Sequence, residues 1–380
     1  MSLRLWLVGW LLMPSLLLAQ STATSPARRP KVDPAFVAAH DAALRRARVW
    51  FKPEKPIADA NLGVTGPEPD GFHKDAVVNC TFKIEGASGT TPKFVCVLQG
   101  GNEIKVKYGR DNPEVYTEVM ATRLLNALGF PADRMYPVAK VRCFGCPADP
   151  FKGLQCLNEG LARERCFPDV NLDRYEDFDY AVVERPLHGR RIETRKERGW
   201  SWKELSKIDA SEGGSPRAEV DALRLLAIFL GDWDNKAKNQ RLLCLGEPRV
   251  KKAATFGSVT CDHPVAMVQD LGAAFGPNKL NLEGWSATPI WANADRCLVS
   301  MRSLPYGGSG FGETEISEEG RAFLANLLRQ LSTDQIRELF AGARVSVYPH
   351  ATDAGRHIDN WVQAFEAKVD AIVNRPACPS

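Results

Sequence analysis

From Cys80 to Glu85, apolar and polar residues alternate strictly, the period-two pattern of a strand with one buried face. Gly86-Ala87-Ser88-Gly89-Thr90-Thr91 makes a small-residue turn before a second strand over 93–98. Gly100-Gly101 turns the chain again, and a third strand follows at 103–108. A helix is predicted next. Asn112 caps it, Pro113 suits its first position and Gly129 ends it after Leu128. Val115, Val119, Leu124, Leu125 and Leu128 form its apolar face. Residues 136–142 and 179–185 read as further strands, with a Cys-rich loop between them. After Pro186 the pattern turns helical. An apolar helix over 218–230 leads into G-D-W-D-N-K-A-K-N-Q, then come two short strands, 241–245 and 265–269. Three helices close the chain, at about 317–331, 333–342 and 352–373, with Ser317, Thr333 and Thr352 as N-caps. Ahead of all this, 34–49 reads as a helix and the Pro-rich stretch 52–78 as an extended wrap. The pattern predicts an α+β protein of two lobes, β-rich first and helical second.

The 380 residues suffice for one large domain or two lobes. A net charge of +3, from 49 basic and 46 acidic residues, gives no electrostatic case for nucleic acid as a partner. Arg4 precedes an apolar run, 5–18, that ends in Ala19-Gln20-Ser21, the form of an export signal cleaved near residue 20. That run is short for a membrane span and Pro14 interrupts it, so no stable span is expected after cleavage. Ten cysteines follow the signal, an even count that reads as disulfides in an exported chain. Cys80 with Cys96, and Cys244 with Cys261, lie on adjacent strands or their connection. Cys143, Cys146, Cys156 and Cys166 are expected to pair among themselves, and Cys297 with Cys378 by elimination. The C-F-G-C pair at 143–146 leaves thiol redox or zinc chemistry open. Its Pro- and Gly-rich setting speaks against the first, and the wide spacing to Cys156 and Cys166 against the second.

The chemistry concentrates in Asp234-Asn235-Lys236-Ala237-Lys238-Asn239, a loop between an apolar helix and a strand, and in Asp270 at the end of the next strand. Phosphoryl transfer needs a carboxylate to orient the acceptor hydroxyl, a lysine near the migrating phosphoryl, and an Asn and an Asp to hold Mg²⁺ across the nucleotide phosphates. Upstream, Lys107 ends the third strand and Glu118 lies mid-helix, the arrangement that steadies a lysine against phosphates. Lys105 and Glu114 are the rival candidates. The Gly86–Gly89 turn sits where a loop would cover the phosphates, and it lacks the P-loop pattern.

On these residues the chain resembles the atypical kinase superfamily, and within it the HipA-like and phosphatidylinositol 3/4-kinase-like branch. S-G-T-T-P-K at 88–93 is similar to the nucleotide loop of HipA-like kinases, and E-V-M-A-T-R-L-L-N-A-L-G-F at 118–130 to their glutamate-bearing helix. A-V-V-E-R at 181–185 is similar to the strand that leads to the adenine hinge. G-D-W-D-N-K-A-K-N at 231–239 resembles the catalytic loop, and Q-D-L-G at 269–272 the metal loop. The resemblance implies a two-lobed kinase-like fold that uses ATP and Mg²⁺. It implies Asp234 as catalytic carboxylate with Lys236 beside it, and Asn239 and Asp270 as metal ligands. Lys107, Glu118, Lys93, Gly86 and Gly89 would bind nucleotide. Thr91 stands where the family has Gln, and Lys236 where it often has His.

The expected organisation is a signal peptide (1–20), an N-terminal extension (21–78), an N-lobe (79–187) with a Cys-rich insertion (143–166), and a helical C-lobe (188–380). Three functions compete. The first is an exported Mg²⁺-dependent kinase acting on a protein, lipid or glycan acceptor. The second is a secreted pseudokinase that serves as a binding module. The third is a disulfide-stabilised structural protein with no nucleotide site.

Overall fold

A computed structural model describes residues 34–63, 71–85, 89–168, 170–193, 199–246 and 261–379. The expected export signal, residues 21–33 and Gly86 lie outside the described residues. Helix α1 (Pro34–Arg45) leads to the antiparallel meander β1 (Val77–Lys83), β2 (Lys93–Val97) and β3 (Glu103–Lys107). Then come α2 (Glu114–Leu128), β4 (Arg134–Pro137), β5 (Lys140–Phe144), the short helices α3 (Pro150–Asn158) and α4 (Arg163–Cys166), β6 (Tyr175–Asp179), β7 (Val182–Arg185) and β8 (Arg190–Arg191). The second half runs α5 (Arg217–Leu230), β9 (Gln240–Cys244), β10 (Pro264–Val268), α6 (Leu282–Ala287), β11 (Leu298–Ser300), β12 (Glu313–Glu315), α7 (Glu318–Leu328), α8 (Thr333–Gly342), α9 (Asp353–Arg356) and α10 (Ile358–Val373). The α+β, two-lobed expectation is met: β1 to β7 form one sheet in the order β4-β7-β3-β2-β1-β5-β6, and helices dominate the rest.

Side-chain alternation gives the sheet two unlike faces. Val78, Cys80, Phe82, Phe94, Ile104 and Val106 point into a core closed by Leu154 of α3 and by Phe167. The Cys-rich segment therefore covers this face. The opposite face carries Lys93, Lys105 and Lys107. Beyond it lies a larger core that joins α2, α5, α7, α8 and α10, with Phe229, Phe275, Trp285, Phe340 and Trp361 among its aromatic residues. Trp200, Trp202 and Trp285 are buried here as packing residues.

All ten cysteines pair: Cys80–Cys96, Cys143–Cys146, Cys156–Cys166, Cys244–Cys261 and Cys297–Cys378. With every thiol engaged, C-F-G-C holds no zinc.

Several element boundaries differ from the sequence expectation, among them the strand expected at 179–185, which divides into the end of β6 and the whole of β7. The strand expected at 136–142 is two strands, because β4 pairs with β7 and β5 crosses the sheet to lie parallel to β1. The first helix stops at Arg45, and Arg48 instead forms a bridge with Val265 of β10. The cap of α8 is Ser332 rather than Thr333, since Ser332 and Gln335 cap each other's amides in a capping box. The last helix breaks at His357 into α9 and α10.

Candidate active site

β2 and β3 place Lys93 directly opposite Lys107. Like charges facing across a ladder are unfavourable unless a counter-charge stands between them. Glu114, in the first turn of α2, supplies it. Its carboxylate accepts from Lys107 Nζ at 2.9 Å, Thr91 Oγ1 at 2.7 Å and Lys279 Nζ at 2.9 Å, with Lys93 Nζ 3.9 Å away. One turn further on, Glu118 also contacts Lys107. Both candidate glutamates thus hold Lys107. Lys105 pairs with Glu184, its cross-strand neighbour on β7. Gly272 leaves room for this cluster: a Cβ there would stand 2.6 Å from Glu114 Cγ. Its carbonyl also accepts from Thr117 Oγ1 at 3.2 Å, so the loop after β10 is docked on α2.

Burial opposes charge here, and the pairings decide which groups keep it. Burial pushes the Glu118 carboxyl up to about 8, against the pull of Lys107. Burial works the same way on Glu114, but Lys107, Lys93 and Lys279 together hold it well below the usual carboxylate range. Lys107 stays well above the usual lysine value despite its burial, because Glu114 and Glu118 face it. Lys93 is lowered by burial and by Lys107. Glu114 is therefore the ionised partner of this cluster.

The second half of the site hangs from α5. Gly231 ends that helix at φ 66°, a left-handed conformation that suits glycine. The following loop is pinned at several points. Trp202 Nε1 donates to the Asn235 carbonyl at 3.2 Å, Trp233 Nε1 to the Gly276 carbonyl at 3.2 Å, and Gly310 N to Asn235 Oδ1 at 3.0 Å. Asp234 emerges from this anchorage into the cleft with Lys236 Nζ 2.6 Å from its carboxylate. Asn239 Nδ2 donates to the Asp234 carbonyl. Antiparallel pairing of β9 with β10 sets Gln240 opposite Val268, so the residues just outside the ladder meet. The Asn239 carbonyl accepts from Gln269 N at 3.1 Å and Asp270 N at 3.0 Å. Burial opposes ionisation of Asp270, yet Lys107 draws its carboxyl below the ordinary range.

These groups line one cleft of about 620 Å³, the size of a small-ligand pocket. Lys93, Lys107, Glu114, Glu118, Asp234, Lys236, Asn239, Asp270 and Gly89 all border it. Gly89 adopts φ 90°, and a Cβ there would stand 3.1 Å from Lys93 Nζ. Gly86 is the one candidate outside the described residues. The oxygen donors suit a hard divalent cation, which prefers carboxylate and amide oxygen. Asn239 donates through its amide nitrogen, which leaves Oδ1 for a ligand, and Asp270 uses Oδ1 for Gly272 N at 3.3 Å, which leaves Oδ2.

Sequence reasoning ranked Glu114 second and missed Lys279, whose place in a Gly- and Asn-rich loop carries no signal. Asp232 is fully buried, and neither carboxylate oxygen has a hydrogen-bond partner among the described residues. Burial, then Asp270, push it well above the usual carboxyl range. Tyr306 is 82% exposed on a Gly-rich loop, its ring 5.7 Å from that of Trp233, the neighbour of Asp234.

Among the described residues, no helix is long and apolar enough to cross a membrane. No protein-family model matches the chain, and no curated protein matches it. The fold is similar to the crystal structure of a Helicobacter pylori proinflammatory kinase, CtkA, at 10% identity and TM-score 0.41, over 79% of this chain and 98% of that one. It is also similar to the Golgi casein kinase, at 12% identity and TM-score 0.35, over 79% of this chain and 72% of that one. A second structure of that kinase, with Mn/ADP bound, gives 11% identity and TM-score 0.33, over 78% of this chain and 73% of that one. Likenesses this distant say nothing of this chain's chemistry.

Proposed function

We propose that this protein is an exported kinase that transfers the γ-phosphoryl group of Mg²⁺-bound ATP to a hydroxyl acceptor, within the HipA-like and phosphatidylinositol-kinase-like branch. The observation that carries the reading is the convergence on one cleft of a lysine–glutamate cluster and an Asp/Asn/Asp set from two paired loops. Each part has a role in phosphoryl transfer. Glu114 and Glu118 fix Lys107 at the back of the cleft. Lys93 and Gly89 border the cleft where the phosphates would lie. Asn239 and Asp270 would hold Mg²⁺, which neutralises charge on the phosphate oxygens when bound. Asp234 orients the acceptor hydroxyl and takes its proton as the new P–O bond forms and the bond to the β-phosphate oxygen breaks, releasing ADP. Lys236, ion-paired with Asp234, faces the migrating group. Acceptors approach over the exposed Tyr306 loop; whether they are protein, lipid or glycan is a question for acceptor screening.

A thermal-shift titration of the mature protein tests nucleotide use. Mg²⁺ with ATP is expected to raise Tm in a concentration-dependent way, and Asp270→Ala to lose most of the rise. Absence of any shift in the wild type refutes the reading and leaves the structural alternative. A shift without phosphoryl transfer to any acceptor or to water favours the binding module.

A further inference from the structure

We propose that Lys279 is a third phosphate-contacting cation of the nucleotide site, delivered by the loop that follows Asp270 and held ready by Glu114. The inference rests on the nucleotide reading of the cleft. Three lysines from three separate chain segments, Lys93, Lys107 and Lys279, converge on the one carboxylate of Glu114. Their accessibility differs. All three border the cleft, but the Lys107 side chain is 2% exposed, whereas those of Lys93 and Lys279 are 11% and 21% exposed. Lys107, held by both Glu114 and Glu118, is therefore the most tightly fixed of the three, and Lys93 and Lys279 are the freer to turn toward a ligand.

The backbone that delivers Lys279 is a second, independent observation. Phe275, Lys279 and Leu280 have φ of 59°, 57° and 40°, and Gly276 has φ of 114°. Non-glycine residues in this region are strained, and such strain persists only where the surroundings enforce it. Here they do. Phe275 and Leu280 are buried in the larger core, Phe275 N donates to the Leu230 carbonyl at 2.8 Å, and Asn281 N to the Phe275 carbonyl at 2.7 Å. Asn281 in turn caps α6. A tight core-anchored turn thus presents Lys279 to the cleft nine residues after Asp270. Without nucleotide, Glu114 is the anion that Lys279 and Lys93 see. A bound polyphosphate, with several anionic oxygens, replaces it as their partner and leaves Glu114 to Lys107. Lys279 thereby ties phosphate binding to the position of the metal loop.

The test uses the mature chain, calorimetry, and three probes: Mg²⁺ with ATP, Mg²⁺ with inorganic tripolyphosphate, and adenosine. Lys279→Met is expected to weaken ATP and tripolyphosphate binding by about ten- to a hundredfold, the effect of one charge-assisted hydrogen bond. Adenosine binding stays unchanged, and Lys279→Arg stays within about threefold of wild type for all three probes. Should Lys279→Met fold poorly, Lys279→Gln, which keeps a donor toward Glu114, takes its place with the same expectation. Unchanged ATP affinity overturns the proposal, and so does an equal loss for ATP and adenosine, which marks a structural role. Wild-type protein that binds none of the probes refutes the nucleotide reading itself, and this assignment with it.

Discussion

Replacing Glu114 with Gln keeps the shape of the side chain and one acceptor oxygen, and removes the charge. In the wild type that carboxylate faces Lys107, Lys279 and, more loosely, Lys93. Removing one partner of a buried pair costs about 3–5 kcal/mol, because the other charge is left uncompensated. Glu118 still contacts Lys107, and the amide oxygen still accepts from Thr91, so the low end applies: about 3 kcal/mol. At roughly 2 °C per kcal/mol for a large domain, Tm falls by about 6 °C. Glu114 is held well below its usual value in the folded protein. A depressed carboxyl contributes stability that is fully present above its unfolded pKa, about 4.3, and is lost as pH falls through the folded value. The gap between wild type and Glu114→Gln should therefore be full at pH 7 and shrink below about pH 4.5. Chemical denaturation of both proteins across pH 3.5–8 measures it. A Glu114→Gln protein within about 1 kcal/mol of wild type at pH 7, or a gap that stays constant into acid, refutes the claim that Glu114 carries the charge of the cluster.

Three further outcomes are expected. Asp234→Asn keeps nucleotide affinity while transfer falls about 10²–10⁴-fold, whereas Asp270→Ala weakens Mg²⁺-dependent nucleotide binding; calorimetry beside a transfer assay separates them. Removing Cys297–Cys378, 81 residues apart, costs about 4–5 kcal/mol, against about 1–2 kcal/mol for Cys143–Cys146, three apart, when the Cys→Ala pairs are compared by denaturant unfolding. Burial lowers Lys368 to about 8, and its Nζ donates to the Thr288 carbonyl at 2.6 Å. A lowered lysine penalises the fold below its folded pKa and ceases to as pH rises past it, so wild type should gain roughly 2 kcal/mol on Lys368→Met between pH 7 and 10.

The strand meander and α2 were legible because alternation and caps are local signals: Asn112 and Gly129 bracket α2 within a residue or two. The spacing of Asp234, Asn239 and Asp270 was legible for the same reason, since one hairpin of β9 and β10 joins them. Lys107 could be told from Lys105 only by which partner each meets, and β7 supplies Glu184 to Lys105 from 79 residues away in sequence. Lys279 was invisible because its place depends on a core-anchored turn. The split of 136–142 was invisible because both halves have strand character, and only pairing with β7 and β1 parts them. What sequence could not carry was contact between distant segments, and the lysine cluster around Glu114 is made of such contacts.

The most direct measurement is a crystal structure of the protein with Mg²⁺ and a non-hydrolysable ATP analogue. The account predicts a divalent ion on Asn239 Oδ1 and Asp270, phosphate oxygens within hydrogen-bond reach of Lys93 and Lys279, and the Asp234 carboxylate facing the γ-phosphate from the acceptor side. An empty cleft under saturating analogue, or an analogue bound elsewhere with the lysines still on Glu114, contradicts it.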